Sequence, residues 1–306
     1  MKVCSYFFMQ ASHQQIQPFL NYLKFEKRYS QHTLVSYQND LTAFFDYLVM
    51  EYHLTDLSSL SHSIIRSWLA SQKEAGMTAK SINRKISTLR SFFKHAMKTG
   101  LLESSPMAKI VAPKNEKRLP QFVADNDMRK LFEEISFPDD WSGKTERLLL
   151  LLFYNTGMRL NELIGLKEAG VNAAGHSLKV LGKGSKERII PISNALLQSI
   201  QEYIAAKKDL DKAHAAELLI TEDGVPLAPR GVYRSVKKYL DQVTTIEKRS
   251  PHVLRHSFAT HLLNNGAELN AIKDLLGHSS LAATQVYTHN TIDKLKNIHK
   301  NFHPKG

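Results

Sequence analysis

Near its middle the chain loses its helical rhythm. The stretch SPMAKIVAPKNEKRLP, Ser105 to Pro120, gathers prolines and charges with no apolar periodicity, as linkers do. At 306 residues the chain is long enough for two ordinary domains, each burying its own core. The expected division is a first domain over residues 13–112 and a second over residues 119–306.

Upstream of the break the pattern is almost purely helical. From Ser30 to Leu48 the residues Leu34, Tyr37, Leu41, Phe44, Phe45 and Leu48 recur at helical spacing, and Ser30 is placed to cap the start. From Thr78 to Gly100, Ile82, Ile86, Leu89, Phe92, Phe93, Ala96 and Met97 form a second stripe that Gly100 ends. The other turns of that helix carry Lys80, Arg84, Lys85, Arg90, Lys94 and Lys98 and no acid. Such a face is either simply solvated or lies along phosphates. Lys80, Arg84 and Lys94 are its candidates for DNA contact.

Composition narrows the class. Hydrophobic residues at 42% and charged residues at 23% fit a soluble globular chain. The apolar run LLLLLF, Leu148 to Phe153, falls well short of the roughly 20 residues that a spanning helix needs, so no membrane role is expected. The opening MKVCSYFFM is too short for a secretory h-region and is expected to be a loose arm or an over-long start. The lone Cys4 forms no internal disulfide, which suits a reducing cytoplasm. A net charge of +12 attracts polyanions such as nucleic acid, although charge alone does not decide the matter.

The second half holds one interruption of helix. SLKVLGKGSKERIIPI, Ser177 to Ile192, reads as a hairpin whose turn presents Lys183, Lys186 and Arg188; Lys186 and Arg188 are further DNA-contact candidates. Gly182 and Gly184 flank Lys183, but the glycine spacing of a nucleotide P-loop is missing. Upstream, Gly157 in TGMRLNEL breaks a helix, and the next helix is expected to carry Arg159 and Glu162 on one face, where an ordinary surface ion pair would look the same. In SPHVLRHSFATHLL, Pro251 starts a helix with His252 and Arg255 three apart. His252 and His256 at i and i+4 could instead hold a metal, but the glutamate of the zinc pattern is absent and Arg255 would crowd a cation. His278 follows Gly277, and Tyr287 follows nine residues later.

Taken singly, each of these residues has an ordinary structural explanation. Together, two arginines, a lysine, two histidines and a tyrosine supply what transfer of a phosphodiester to a protein hydroxyl requires. Paired guanidiniums stabilise a pentavalent phosphorane, a lysine protonates the leaving oxygen, and a base with nearby cations favours phenolate.

The segments GMRLNEL, LGKGSKERIIPI and SPHVLRHSFATHLLNNGAELNAIKDLLGHSSLAATQVYTH closely resemble the tyrosine recombinases of the phage integrase family, and among them the Xer type. The resemblance runs from about His13 and is densest from Arg159 to Tyr287. It implies a mainly α fold: an N-terminal four-helix, SAM-like core-binding domain that clamps DNA, then a mainly α catalytic domain with a small antiparallel sheet. It further implies that Arg159 and Arg255 hold the scissile phosphate, Lys183 is the general acid and His252 the general acid/base. His278 completes the phosphate site, Tyr287 is the nucleophile, and Glu162 has a supporting role. Gly170 departs from the family's usual Asp.

By the same resemblance the chain exchanges DNA strands through a 3'-phosphotyrosine and a Holliday junction, with no cofactor. Its partners are double-stranded DNA with inverted half-sites, a homotetramer or a heterotetramer with a second recombinase, and a septal DNA translocase in chromosome dimer resolution. An integrase of a phage or mobile element, a type IB topoisomerase and a non-catalytic architectural DNA-binding protein are the alternatives. The tail stripe Ile292, Leu295, Ile298 and Phe302 is expected either to pack in cis or to dock on a neighbouring protomer.

Overall fold

The computed structural model describes residues 14–54, 56–115, 121–182, 187–210 and 215–277. The chain divides into two compact units, residues 1–118 and 119–306. The N-terminal arm, Lys183, Lys186, His278, Tyr287 and the tail stripe lie outside the described residues.

Unit 1 is helical. Helix α1 (Ile16–Asn21) runs into a π-helical turn (Tyr22–Glu26) and is followed by α2 (Gln31–Tyr52), α3 (His62–Glu74) and α4 (Ala79–Lys98). Ser30 caps α2 by accepting from the Thr33 amide, and Thr78 caps α4 by accepting from the Ser81 amide, so each start is set by a short hydroxyl side chain. Leu34, Leu41, Phe44, Phe45 and Leu48 of α2 meet Ile82, Ile86, Leu89, Phe92 and Phe93 of α4 in one core with Trp68 of α3. Phe44 meets Trp68 edge-on at 4.9 Å and Phe45 meets Phe92 at 5.6 Å. Burying each such ring contributes on the order of 1.5–3 kcal/mol.

The basic face of α4 differs from the expectation. Asp40 of α2 is buried and takes Lys85 at 3.2 Å, the Arg84 guanidinium and the Thr88 hydroxyl at 2.9 Å. Arg84 also donates to Ser36, and Arg90 donates to the Ile110 carbonyl at 2.9 Å. The acid that pairs with this face comes from another helix, which a reading of α4 alone could not find. Lys80 and Lys94 stay exposed. The proline-rich stretch begins as part of this unit, because Met107 and Ile110 are buried in its core.

Unit 2 contains α5 (Asp125–Glu133), α6 (Trp141–Thr156), α7 (Leu160–Ile164), the strands β1 (Val171–Asn172), β2 (Ser177–Leu181) and β3 (Glu187–Pro191), then α8 (Asn194–Lys208), α9 (Pro229–Val243), α10 (Pro251–Asn264) and α11 (Leu269–Leu276). The LLLLLF run lies in α6, where Leu148, Leu149, Leu150, Leu152 and Phe153 are buried. A helix apolar on nearly every side is a core helix, and the rest of the unit packs around it.

The three strands form an antiparallel sheet in the order β1-β2-β3. Leu178 pairs with Ile190 and Val180 with Arg188. Partners across a ladder share a face, so Arg188 lies on the side that buries Leu178, Val180 and Ile190. Ile189, one residue on, is 71% exposed. Helix α11 belongs to a smaller cluster of its own, Ala259, Ile272 and Leu276, with Phe258, Leu262, Leu263 and Ala267 against it.

Candidate active site

The site begins where α6 stops. Gly157 ends that helix at φ +57, and a Cβ there would fall 2.3 Å from Phe258 Cδ1 and 2.9 Å from Leu276 Cδ2. Only glycine allows both the left-handed turn and the close approach of α10 and α11. Two residues later the backbone of Arg159 is extended, at φ −76 and ψ 155, and this residue is the N-cap of α7.

Arg159 and Glu162 do not share a helical face as expected. Glu162 reaches back from the third helical position: its Oε2 accepts from the Arg159 amide at 2.7 Å and its Oε1 from Arg159 Nη1 at 2.8 Å. Nor is this a surface ion pair, since the Glu162 side chain is 3% exposed. Arg188 closes the group from β3, donating Nη1 to Oε1 at 2.6 Å and Nη2 to Oε2 at 2.7 Å. Burial by itself would raise the Glu162 carboxyl above its ordinary 4.5, but hydrogen bonds from Arg188 and Arg159 outweigh it and hold the group down at about 2.

Arg255 enters from α10, which starts at Pro251 as its sequence predicts. It is buried, and it donates to the Gly157 carbonyl and to the Leu276 carbonyl, the latter at 2.7 Å. The end of α11 therefore receives three arginines on three successive carbonyls: Arg188 on Leu275 at 3.2 Å, Arg255 on Leu276, and Arg159 on Gly277 at 2.9 Å. A helix C-terminus carries partial negative charge and unpaired carbonyls, so it attracts cations in addition to the carboxylate of Glu162. Two guanidiniums assigned to the phosphate thus converge from α7 and α10, and the next residue along the chain is His278.

The other candidates are placed as follows. His252 is exposed on the first turn of α10, whereas His256 is buried, and desolvation drives its imidazole down to about 4. His261 is built into the frame: its Nε2 is 2.9 Å from the Val123 carbonyl and its Nδ1 2.9 Å from Asp125. Arg188, expected at the hairpin tip as a DNA contact, is instead turned inward by its ladder position, with 14% of its side chain exposed. Lys80, Arg84 and Lys94 belong to unit 1.

One surface was missed in the sequence. Helix α9 begins with Pro229 and exposes Arg230, Tyr233, Arg234 and Lys237 along one side, while Val232, Val236, Tyr239 and Leu240 are buried on the other. The spacing of PRGVYRSVKKYL carried that signal.

Residues 121–294 match the Phage integrase family, and residues 16–100 match the Phage integrase, N-terminal SAM-like domain. The chain belongs to the phage integrase family. It is 38% identical over 290 residues to the tyrosine recombinase XerC of Staphylococcus saprophyticus, covering 95% of this chain and 97% of the relative. It is 37% identical over 299 residues to the XerC of Halalkalibacterium halodurans, with 96% and 98% covered. In fold it is similar to the XerH site-specific recombinase bound to palindromic difH substrate, at TM-score 0.74 and 21% identity over 93% of this chain and 83% of that one. The Tn1549 transposon integrase bound to right-end DNA gives TM-score 0.74 at 18% identity, over 92% and 99%. This member of the family is mainly α with a three-stranded antiparallel sheet, as such a recombinase should be. Among the described residues no helix is long and apolar enough to cross a membrane.

Proposed function

We propose that this tyrosine recombinase exchanges strands between two double-stranded DNA sites with inverted half-sites, and that it serves chromosome dimer resolution. The observation that carries the reading is the convergence of Arg159 and Arg255 at the end of α11. In the proposed complex their guanidiniums bind the non-bridging oxygens of the scissile phosphate, where charge builds up in the transition state.

Tyr287 Oη attacks phosphorus, and the bond to the 5' oxygen breaks. His252 accepts the phenol proton, and Lys183 donates a proton to the leaving 5' oxygen, which departs as a hydroxyl. His278 completes the phosphate site. The 3'-phosphotyrosine keeps the energy of the broken bond, so the 5' hydroxyl of another strand reverses the step without a nucleotide cofactor. The first unit serves as the DNA clamp and the second as the catalytic domain. Four protomers, of one kind or paired with a second recombinase, act through a Holliday junction, and a septal translocase is a further partner. A cytoplasmic setting fits this role.

The side chains of α9 suit the major groove, because a helix fits that groove and Arg230 and Arg234 lie one turn apart. The similarity to XerC proteins over nearly the whole chain supports chromosome resolution above integration of a mobile element.

The test is a covalent-adduct assay on a nicked duplex. Wild-type chain should form adduct in excess EDTA, and Tyr287→Phe should bind the DNA but form none. Arg159→Ala or Arg255→Ala should lower cleavage by at least about 10²-fold, the usual effect of removing a charge-stabilising donor. Adduct on any other tyrosine, found by mass spectrometry, would refute the assignment.

A further inference from the structure

Arg188 sits where a DNA contact would be expected, beside the hairpin turn, yet its side chain is committed elsewhere. Both ends of its guanidinium fork meet Glu162, and its Nε donates to the Leu275 carbonyl. Glu162 is thereby shared evenly. Oε1 accepts from Arg188 Nη1 and Arg159 Nη1, while Oε2 accepts from Arg188 Nη2 and the Arg159 amide. The group is graded in depth: side-chain exposure is 3% for Glu162, 14% for Arg188 and 35% for Arg159. Glu162 is the deepest of the three, Arg188 is intermediate and Arg159 is the nearest to solvent.

We infer that Arg188 is a positioning residue for strand cleavage: by occupying one side of the Glu162 carboxylate it fixes the direction in which Arg159 offers its guanidinium to the phosphate. The inference rests on the reading of Arg159 as a phosphate clamp.

The physical argument concerns lone pairs. A buried carboxylate is costly unless its acceptor positions are filled. With Arg188 present, Arg159 meets the carboxylate through only one guanidinium nitrogen, and its Nη2 points to the end of α11. With Arg188 removed, two acceptor positions open on Glu162, and the nearest donor able to fill both is Arg159. Its fork would turn in to grip the carboxylate, taking Nη2 out of the site. Arg188 also ties Glu162 to the Leu275 carbonyl, so α7, β3 and α11 share one register. Lysine cannot substitute, because a single ammonium lacks the planar fork that fills both oxygens.

The test uses the full chain with Arg188→Lys, Arg188→Ala, Arg159→Ala and the Arg188→Ala/Arg159→Ala double variant. It measures adduct rate on saturating nicked duplex, half-site Kd with its salt dependence, and melting temperature. Arg188→Lys keeps the charge and guards against simple unfolding. Arg188→Ala and Arg188→Lys should each slow cleavage by about tenfold or more, as loss of a preorganised charge-stabilising donor does, with Kd within about twofold. In the Arg159→Ala background, Arg188→Ala should change the rate by less than about twofold, because both act through one group.

A weaker Kd with a salt slope lower by about one would make Arg188 a phosphate contact and overturn the inference. Wild-type rate in Arg188→Lys would overturn it too, and so would effects of Arg188→Ala and Arg159→Ala that simply multiply. If the wild-type chain forms no adduct at all, the reading of the site falls and takes the inference with it. Adduct in the wild type with independent effects sinks the inference alone.

Discussion

Glu162 and His256 are both buried ionisable groups of unit 2, and they respond to acid in different windows. The carboxyl of Glu162 is held at about 2 against an ordinary 4.5, so the unfolded chain takes up its proton first. Its stabilisation is complete above about pH 4.5 and is lost as pH falls toward 2. His256 is held at about 4 against 6.5 by desolvation, so it stays neutral in the fold while the unfolded chain protonates. That linkage is neutral above about pH 6.5 and destabilises progressively down to 4. Urea unfolding measured across pH should therefore show declines in both windows. His256→Asn should remove the upper one, and Glu162→Gln the lower one. A pH profile that neither substitution alters would mean that neither group is buried as described.

Helices α4 and α9 make opposite uses of basic residues. On α4, Arg84, Lys85 and Arg90 are tied to Asp40 and the Ile110 carbonyl and Lys98 lies 3.7 Å from Glu26, while Lys80 and Lys94 are exposed. On α9, Arg230, Arg234 and Lys237 are all exposed. Neutralising Lys80 and Lys94 together should lower the salt slope of half-site binding by about two if each meets a phosphate, whatever the sequence. Arg84→Ala should instead lower the melting temperature of the first unit, since Asp40 loses a partner. Arg230→Ala or Arg234→Ala should cost about 1–3 kcal/mol on the cognate half-site and much less on random DNA, if they read base edges. An unchanged salt slope would return Lys80 and Lys94 to a merely solvated face.

These elements also show what could be read in advance. The stripes of α2 and α4, the Ser30 cap, the Gly100 stop, the hairpin and the Pro251 start were legible because period and capping are local properties. The pairing of Lys85 with Asp40 was not, since it joins two helices. Arg188 is an intermediate case. Its parity with Ile190 was visible in ERIIP, but the carboxylate that receives it lies 26 residues upstream. Arg159 and Glu162 were rightly paired and wrongly pictured, because Arg159 caps α7 instead of lying within it.

As a whole the chain joins a helical unit to a mixed one through a stretch whose first part, to Ile110, is packed into the helical unit. Within the proposed tetramer, a chain ending at Thr291 should stay folded and bind a single half-site, yet lose cooperative binding to the full site and lose recombination. Gel-shift titrations on half and full sites, with thermal melting alongside, would check this; preserved cooperativity would count against exchange of tails, and a collapsed melting temperature would favour packing in cis. The carbonyls at the end of α11 have a bearing on how such an enzyme is made. A ribosome delivers Arg159, Arg188 and Arg255 before residues 275–277, whose carbonyls receive all three, and the proposed nucleophile emerges later still. On the proposed mechanism a chain terminated before Tyr287 would lack the group that attacks DNA, so faulty synthesis would leave no stray breaks.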